Sequence, residues 1–517
     1  MNDKHQAAVT VESGKLAQSA PDAFGVRSFK GIPYAAPPVG ALRFAPPLPC
    51  ANWVGLRPSD NFGYNALQKV IFPDIDPFVD GVSEDCLYLN VWTGAVAGAV
   101  TGSDTGSDTG ADLAASKKLP VLVWIHGGGF VVGSGSEPRY NGAKLAERGV
   151  VIVTVNHRLN ALGYLAHPAL TKEAGSSGNY AMLDLIAALQ WVKRNIAAFG
   201  GDPQRVTIAG ESAGAMACSA MMCSPLAKGL FCGVIGQSGG LLATPAEPLM
   251  TLAEAETLGV AFAQSVGATS VAGLRNVASA HILDAAPGLG FRPIIDGHVL
   301  TEHPFDTFAK GEQHDVPMMA GWNKDEGFNF DTKNWGDGQK GVSHWLNLHF
   351  GAKSKDALTH YPIAPIQRAA QSARDLGGDL IINHGTWAWI EAQRSHGKSP
   401  LFRYCFDHSP KTQPGFFPPD ARNTGAFHSC EIPYVFDVPE ALGWQISGAD
   451  RAIAKLTANY WANFIKTGNP NGDGLCNWIS YREDTRPCLR IAMSCDTEAD
   501  IDGDRHRFLK LALDKRA

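Results

Sequence analysis

Apolar residues occur along this chain in two alternating rhythms. Short unbroken runs recur: PVLVWI (120–125), VVIVTV (150–155), RVTIA (205–209), GVIGQS (233–238), VPMMAGW (316–322) and LFRYCF (401–406). Most are rich in Val and Ile, which suits strands buried on both faces, as in a parallel sheet. Between them lie longer segments with helical spacing, such as 180–199 and 245–265. The first sets Leu183, Ile186, Ala187, Leu189 and Val192 on one side. Alternating β and α segments predict an α/β fold with a large central, mostly parallel sheet covered by helices on both faces. The runs at 120–125 and 205–209 belong in that sheet.

One segment breaks both rhythms. Residues 93–118 read TGAVAGAVTGSDTGSDTGADLAASKK. Gly, Ser, Thr, Asp and Ala at this density cannot bury a core. The segment lies between two apolar runs, LYLNVW (87–92) and PVLVWIH (120–126), so it reads as a flexible surface insertion within one domain.

Composition narrows the class. The chain has 517 residues, 45% hydrophobic and 18% charged. A rule of ~100–200 residues per domain would divide it into three. Large α/β enzymes depart from that rule, and residues 1–517 read as one domain, since a chain of this length can bury a large core. A formal charge of -6 gives no basis for nucleic acid or an acidic membrane surface as partner. The ten cysteines include no Cys-x-x-Cys pair, which argues against structural zinc. No run approaches the ~20 apolar residues of a membrane span. The opening MNDKHQAAVTVESG lacks the apolar core of a signal peptide. The expectation is a cytoplasmic monomer or small homo-oligomer, periplasmic or secreted if a signal peptide has been removed.

Candidate chemistry begins at TIAGESAGAM (207–216). Gly210-Glu211-Ser212-Ala213-Gly214 follows a predicted strand and precedes a helix of small residues. A loose turn, a phosphate loop and a nucleophile elbow all compete for such a stretch. A phosphate loop needs a Lys-Ser or Lys-Thr pair, and none follows. In an elbow the serine sits on a strained turn, and glycines two before and two after avoid backbone collision. A serine hydroxyl also needs a base and N–H donors for the developing oxyanion. WIHGGGF (124–130) again follows a strand, and a triple glycine after a histidine lets backbone N–H groups approach a carbonyl. The expected order is serine, acid, histidine. After the 316–322 strand come Asp325 and Glu326, and spacing does not choose between them. His408 and His428 both follow the 401–406 strand.

The chain resembles the type-B carboxylesterase and cholinesterase family of the α/β-hydrolase fold, in pattern nearest its bacterial carboxylesterases. The resemblance runs nearly end to end, through FKGIPYAAPPVGALRFAPP (29–47), SEDCLYLNVW (83–92), WIHGGGF, VNHRLNALGYL (155–165), LQWVKRNIAAFGGDPQRVTIAGESAGA (189–215), GQSGG (236–240), NKDEG (323–327), GAFHSCEIPYVF (425–436) and ANFIKTGNPN (462–471). It implies a triad of Ser212, Glu326 and His428, and an oxyanion hole from the N–H groups of Gly128, Gly129 and Ala213. Glu211 matches a buried acid that supports the site, and Ser238 a serine behind the triad. Arg43 with Glu84, and Arg158 with Asp184, match buried ion pairs.

Two departures stand out. Secreted members pair the cysteine matching Cys86 with one in the preceding loop, where this chain has Ala66. Many members carry Gly where this chain has Ser429, and no loss of activity is expected from it. No clear match to a choline site is present.

The resemblance implies a serine hydrolase that cleaves small-molecule carboxylic esters through an acyl-enzyme, with no metal or organic cofactor. An amidase or carbamate hydrolase would use the same groups. A non-catalytic interaction protein of this fold would have lost the serine, which is present here. Pocket walls should come from loops around 60–80, 240–250, 285–295 and 330–350, with Phe72, Phe78, Phe291 and Trp335 as apolar lining candidates.

Overall fold

A computed structural model describes residues 8–72, 75, 81–94, 118–242, 248–286, 290–328, 339–417, 424–482 and 484–513. The 93–118 insertion, apart from its ends, lies outside the described residues.

Among the described residues, the main sheet has ten strands. In chain order they are β1 (Arg27–Pro33), β2 (Tyr88–Thr93), β3 (Leu119–Ile125), β4 (Val151–Val155), β5 (Gly201–Glu211), β6 (Gly233–Gln237), β7 (Met318–Asn323), β8 (Leu401–Phe406), β9 (Pro487–Ile491) and β10 (Asp496–Ala499). Their order across the sheet is β10-β9-β8-β7-β6-β5-β3-β4-β2-β1. The six strands from β4 to β8, with β9, pair in parallel. β1, β2 and β10 add antiparallel edges. All six predicted strands are present.

Successive side chains of a strand point to opposite faces, and this divides the core in two. Val121, Val123, Ile125, Ile208 and Val234 face one cluster, which also receives residues of the helices α1 (Tyr180–Asn195), α2 (Ala213–Cys223), α3 (Leu252–Ser265) and α4 (His384–His396). Leu122, Trp124, Ala209, Ile235 and Tyr404 face the other, closed by α5 (Gly448–Thr467). Helices therefore cover both faces of the sheet.

Two helix expectations need correction. α3 begins at Leu252, not 245. Thr251 caps it, accepting from the Glu254 N–H while the Glu254 carboxylate accepts from the Thr251 N–H. This reciprocal cap satisfies two end donors at once and sets the start. In α1 the named stripe is too narrow. Leu183 and Ala187 are only partly buried, whereas Ala181, Met182, Asp184, Leu185, Ala188 and Trp191 are buried as well. The helix is enclosed on most sides, so a single stripe underestimates its contacts.

Both expected ion pairs form. Arg158 donates from Nε to Asp184 Oδ2 at 2.8 Å and from Nη2 to Oδ1 at 2.7 Å, with side chains 3% and 0% exposed. Arg43 donates from Nε to Glu84 Oε2 at 2.7 Å and from Nη2 to Oε1, in a mostly buried setting. A planar guanidinium suits such two-point contact. The Arg158 pair ties the end of β4 to α1. Arg158→Met strands the Asp184 charge in a poor solvent and should lower unfolding stability by roughly 3–5 kcal/mol. Denaturant unfolding measures it. A shift under about 1 kcal/mol would contradict the role of the pair as a lock.

Candidate active site

The serine lies where β5 gives way to α2. Ser212 has φ 56° and ψ −122°, a backbone conformation that L-residues rarely adopt. It is partly exposed, while Glu211 and Ala213 on either side are buried. The turn is held by the Ser212 N–H, which donates to Gln237 O of the neighbouring strand at 2.8 Å. A Cβ on Gly214 would stand 2.1 Å from Ile125 O, and one on Gly210 would stand 2.4 Å from the Gly214 carbonyl carbon. Only glycine fits at these two positions, as the elbow argument requires.

The glycine triple packs beside this turn, at the end of β3. Gly128 has φ +103°, and a Cβ there would meet Val132 O at 2.0 Å. Among the described residues, nothing accepts from the N–H groups of Gly128, Gly129 or Ala213. His126, which precedes the triple, stacks on His157 at 4.6 Å between ring centroids. It is buried, and burial drives its imidazole well below the ordinary value. It is therefore a neutral packing group.

The structure brings Glu326, not Asp325, to His428. Glu326 Oε2 lies 2.5 Å from His428 Nδ1. Its other oxygen accepts from Ser238 Oγ at 2.6 Å and from the Asn323 N–H at 2.7 Å. With both oxygens engaged, Glu326 is anchored in one orientation. Asp325 instead accepts from the Ala426 N–H at 3.0 Å and ties down the segment that carries His428. His408 is elsewhere, with Nε2 2.8 Å from Asp450 Oδ1.

Three carboxylates surround His428. Glu211 Oε1 is 3.1 Å from its Nε2 in an ion-pair contact that lacks hydrogen-bond alignment. Burial alone would lower the imidazole, but Glu211, Glu326 and Glu431 outweigh it and raise it. Burial likewise raises the Glu211 carboxyl, opposed by the attraction of His428.

Reading the sequence missed the layer behind these groups. Glu431 is buried and accepts from Gln237 Nε2 at 2.9 Å and Asn323 Nδ2 at 2.5 Å. The Trp461 indole N–H donates to Gln237 Oε1 at 2.9 Å. The His-x-x-Glu spacing of His428 and Glu431 was the available signal. Ser429 has φ 69°, the left-handed region in which glycine is free of strain. This explains why glycine suits the position.

Of the lining candidates, Phe291 is instead core, packed edge-on against Phe262 of α3 at 5.2 Å. Phe72 packs beside Val131 and Val132, just after the glycine triple. Phe78 and Trp335 lie outside the described residues. Cys86 is a buried free thiol and lines one cavity together with Ala66, as a missing partner cysteine requires.

A parallel sheet that carries a strained serine elbow at the end of a central strand defines an α/β-hydrolase. The chain belongs to the Carboxylesterase family, whose pattern matches residues 6–508, and it is a carboxylic-ester hydrolase. It is 34% identical to the para-nitrobenzyl esterase of Bacillus subtilis (strain 168), covering 97% of this chain and 98% of that protein. It is 36% identical to the fumonisin B1 esterase of Sphingopyxis macrogoltabida, over 88% and 82%. A solved para-nitrobenzyl esterase superposes with TM-score 0.80 at 33% identity, covering 97% and 99% of the two chains. A carboxylesterase of Geobacillus stearothermophilus superposes with TM-score 0.79 at 32% identity, over the same shares. No helix among the described residues is long and apolar enough to cross a membrane.

Proposed function

We propose that this enzyme cleaves small-molecule esters through an acyl-enzyme on Ser212. His428 takes the serine proton as Ser212 Oγ attacks the ester carbonyl carbon. Glu326 holds the imidazole by Nδ1 and stabilises its charged form. The oxyanion of the tetrahedral intermediate accepts from the N–H groups of Gly128, Gly129 and Ala213. His428 then gives its proton to the leaving alcohol. Water enters, loses a proton to His428 and releases the acid by the same steps. The observation that carries this reading is the 2.5 Å contact of Glu326 with His428 Nδ1. With Nδ1 so held, the ring's Nε2 lies 3.1 Å from Oε1 of Glu211, the residue before Ser212. Relatives named for para-nitrobenzyl and fumonisin B1 esters support an ester as substrate.

A fluorophosphonate probe tests the assignment. The intact enzyme should be labelled on Ser212 and lose its turnover in step with labelling. Inactivation with the label on another residue would refute it.

The charges around His428 set a pH dependence. A negative Glu211 favours the imidazolium, so it raises the pH at which the base becomes free. Glu211→Gln removes that attraction, His428 sheds its proton more readily, and the acid limb of kcat/KM against pH should move to lower pH. A shift to higher pH would reverse the sign of this coupling.

A further inference from the structure

Two thiols meet at the surface far along the chain from the site. Cys476 is exposed in the segment 468–480 that follows α5, and Cys495 is half-buried in the turn between β9 and β10. The Cys495 thiol interacts directly with that of Cys476 and with the Tyr460 hydroxyl. The same hydroxyl, on α5, donates to the Cys476 carbonyl at 2.9 Å. One buried tyrosine thus holds both cysteine-bearing segments together. Among the described residues, the hydrogen-bonding partner these two cysteines share is Tyr460, which is not one of the groups placed in the hydrolytic site.

We infer that Cys476 and Cys495 form a redox-responsive disulfide that clips the β9–β10 edge of the sheet to the segment after α5. A low-molecular-weight disulfide such as oxidised glutathione is the oxidant. The Cys476 thiolate attacks one of its sulfurs, the S–S bond breaks, and one glutathione thiolate leaves with the electron pair. Cys495 then attacks the Cys476 sulfur and expels the second glutathione. Two protein thiols become one disulfide and one glutathione disulfide becomes two thiols, so electrons and protons balance. Burial and the neighbouring Cys476 push the Cys495 thiol up to about 11, which makes exposed Cys476 the entry point and Cys495 the resolving thiol. The bond closes a short loop of the unfolded chain and removes part of its entropy.

The test incubates the whole enzyme with oxidised glutathione, then alkylates and maps the peptides by mass. The expected product is a Cys476–Cys495 linked peptide, with a melting temperature raised by about 3 °C and restored by dithiothreitol. Cys495→Ser should instead retain glutathione on Cys476 and show no rise. Exposed Cys232, which has no thiol neighbour among its interacting groups, reports simple glutathionylation. Glutathione retained on Cys476 of the unsubstituted enzyme, or both thiols alkylated after oxidation, would overturn the inference.

Discussion

Replacing Ser212 by alanine should lower kcat by roughly 10⁶-fold while leaving the protein folded. The expected loss is large because in the proposed mechanism the serine, its base and its acid act as a unit, and the covalent step has no substitute. The fold should survive for a local reason. Although Ser212 precedes α2, its side chain makes no cap hydrogen bond to the helix. The strained backbone is held by the Ser212 N–H on Gln237 O and by the glycines around it. Alanine meets the same constraint with the same Cβ. The backbone donors of the glycine triple remain, so a small residual rate above water is expected. The check is turnover of an activated aryl ester beside a thermal melt. Near-normal turnover by pure variant enzyme would sink the mechanism, and a lost melt would show that the serine also holds the fold.

His428→Ala should cost activity on the same scale, whereas His408→Ala should leave kcat within a few-fold. Both histidines follow β8, and their surroundings decide between them. His428 is gripped by Glu326 and lies against Glu211. His408 lies against Asp450, which accepts from Tyr434 Oη at 2.7 Å and from the Ser447 N–H at 2.8 Å at the start of α5. Despite burial, these partners hold the Asp450 carboxyl below its usual range. His408→Ala should therefore lower stability by about 1–2 kcal/mol, the scale of a lost charge-assisted bond at a helix cap. Steady-state kinetics and denaturant unfolding of the two variants separate the effects. Equal activity losses, or the reverse order, would displace His428 as the base.

The local devices were legible in the sequence because they are local. Gly210 and Gly214 announce a turn on which Cβ atoms cannot fit, and the structure places backbone carbonyls where those atoms would stand. Unbroken Val and Ile runs announce strands covered on both sides, and the alternate residues of β3 do face two different cores. The Arg158–Asp184 pair was reached through the resemblance to a family, not through spacing, since nothing in a string of letters says which charges lose water.

What the sequence determined by itself is the set of short-range shapes: the strands, the elbow and the glycine turn. Only the tertiary structure decided partners. Glu326 and Asp325 are adjacent, alike in charge and both after β7. Their roles diverge because the 3-10 turn at Glu326–Phe328 points one carboxylate inward to Ser238, Asn323 and His428, while the other receives the Ala426 N–H. Phe291 was indistinguishable from a pocket wall until α3 covered it. The buried set of Gln237, Asn323, Glu431 and Trp461 is drawn from four distant parts of the chain. Its members carry no mutual signal in sequence, because their hydrogen bonds form only when the sheet, the histidine segment and α5 close on one another and exclude water.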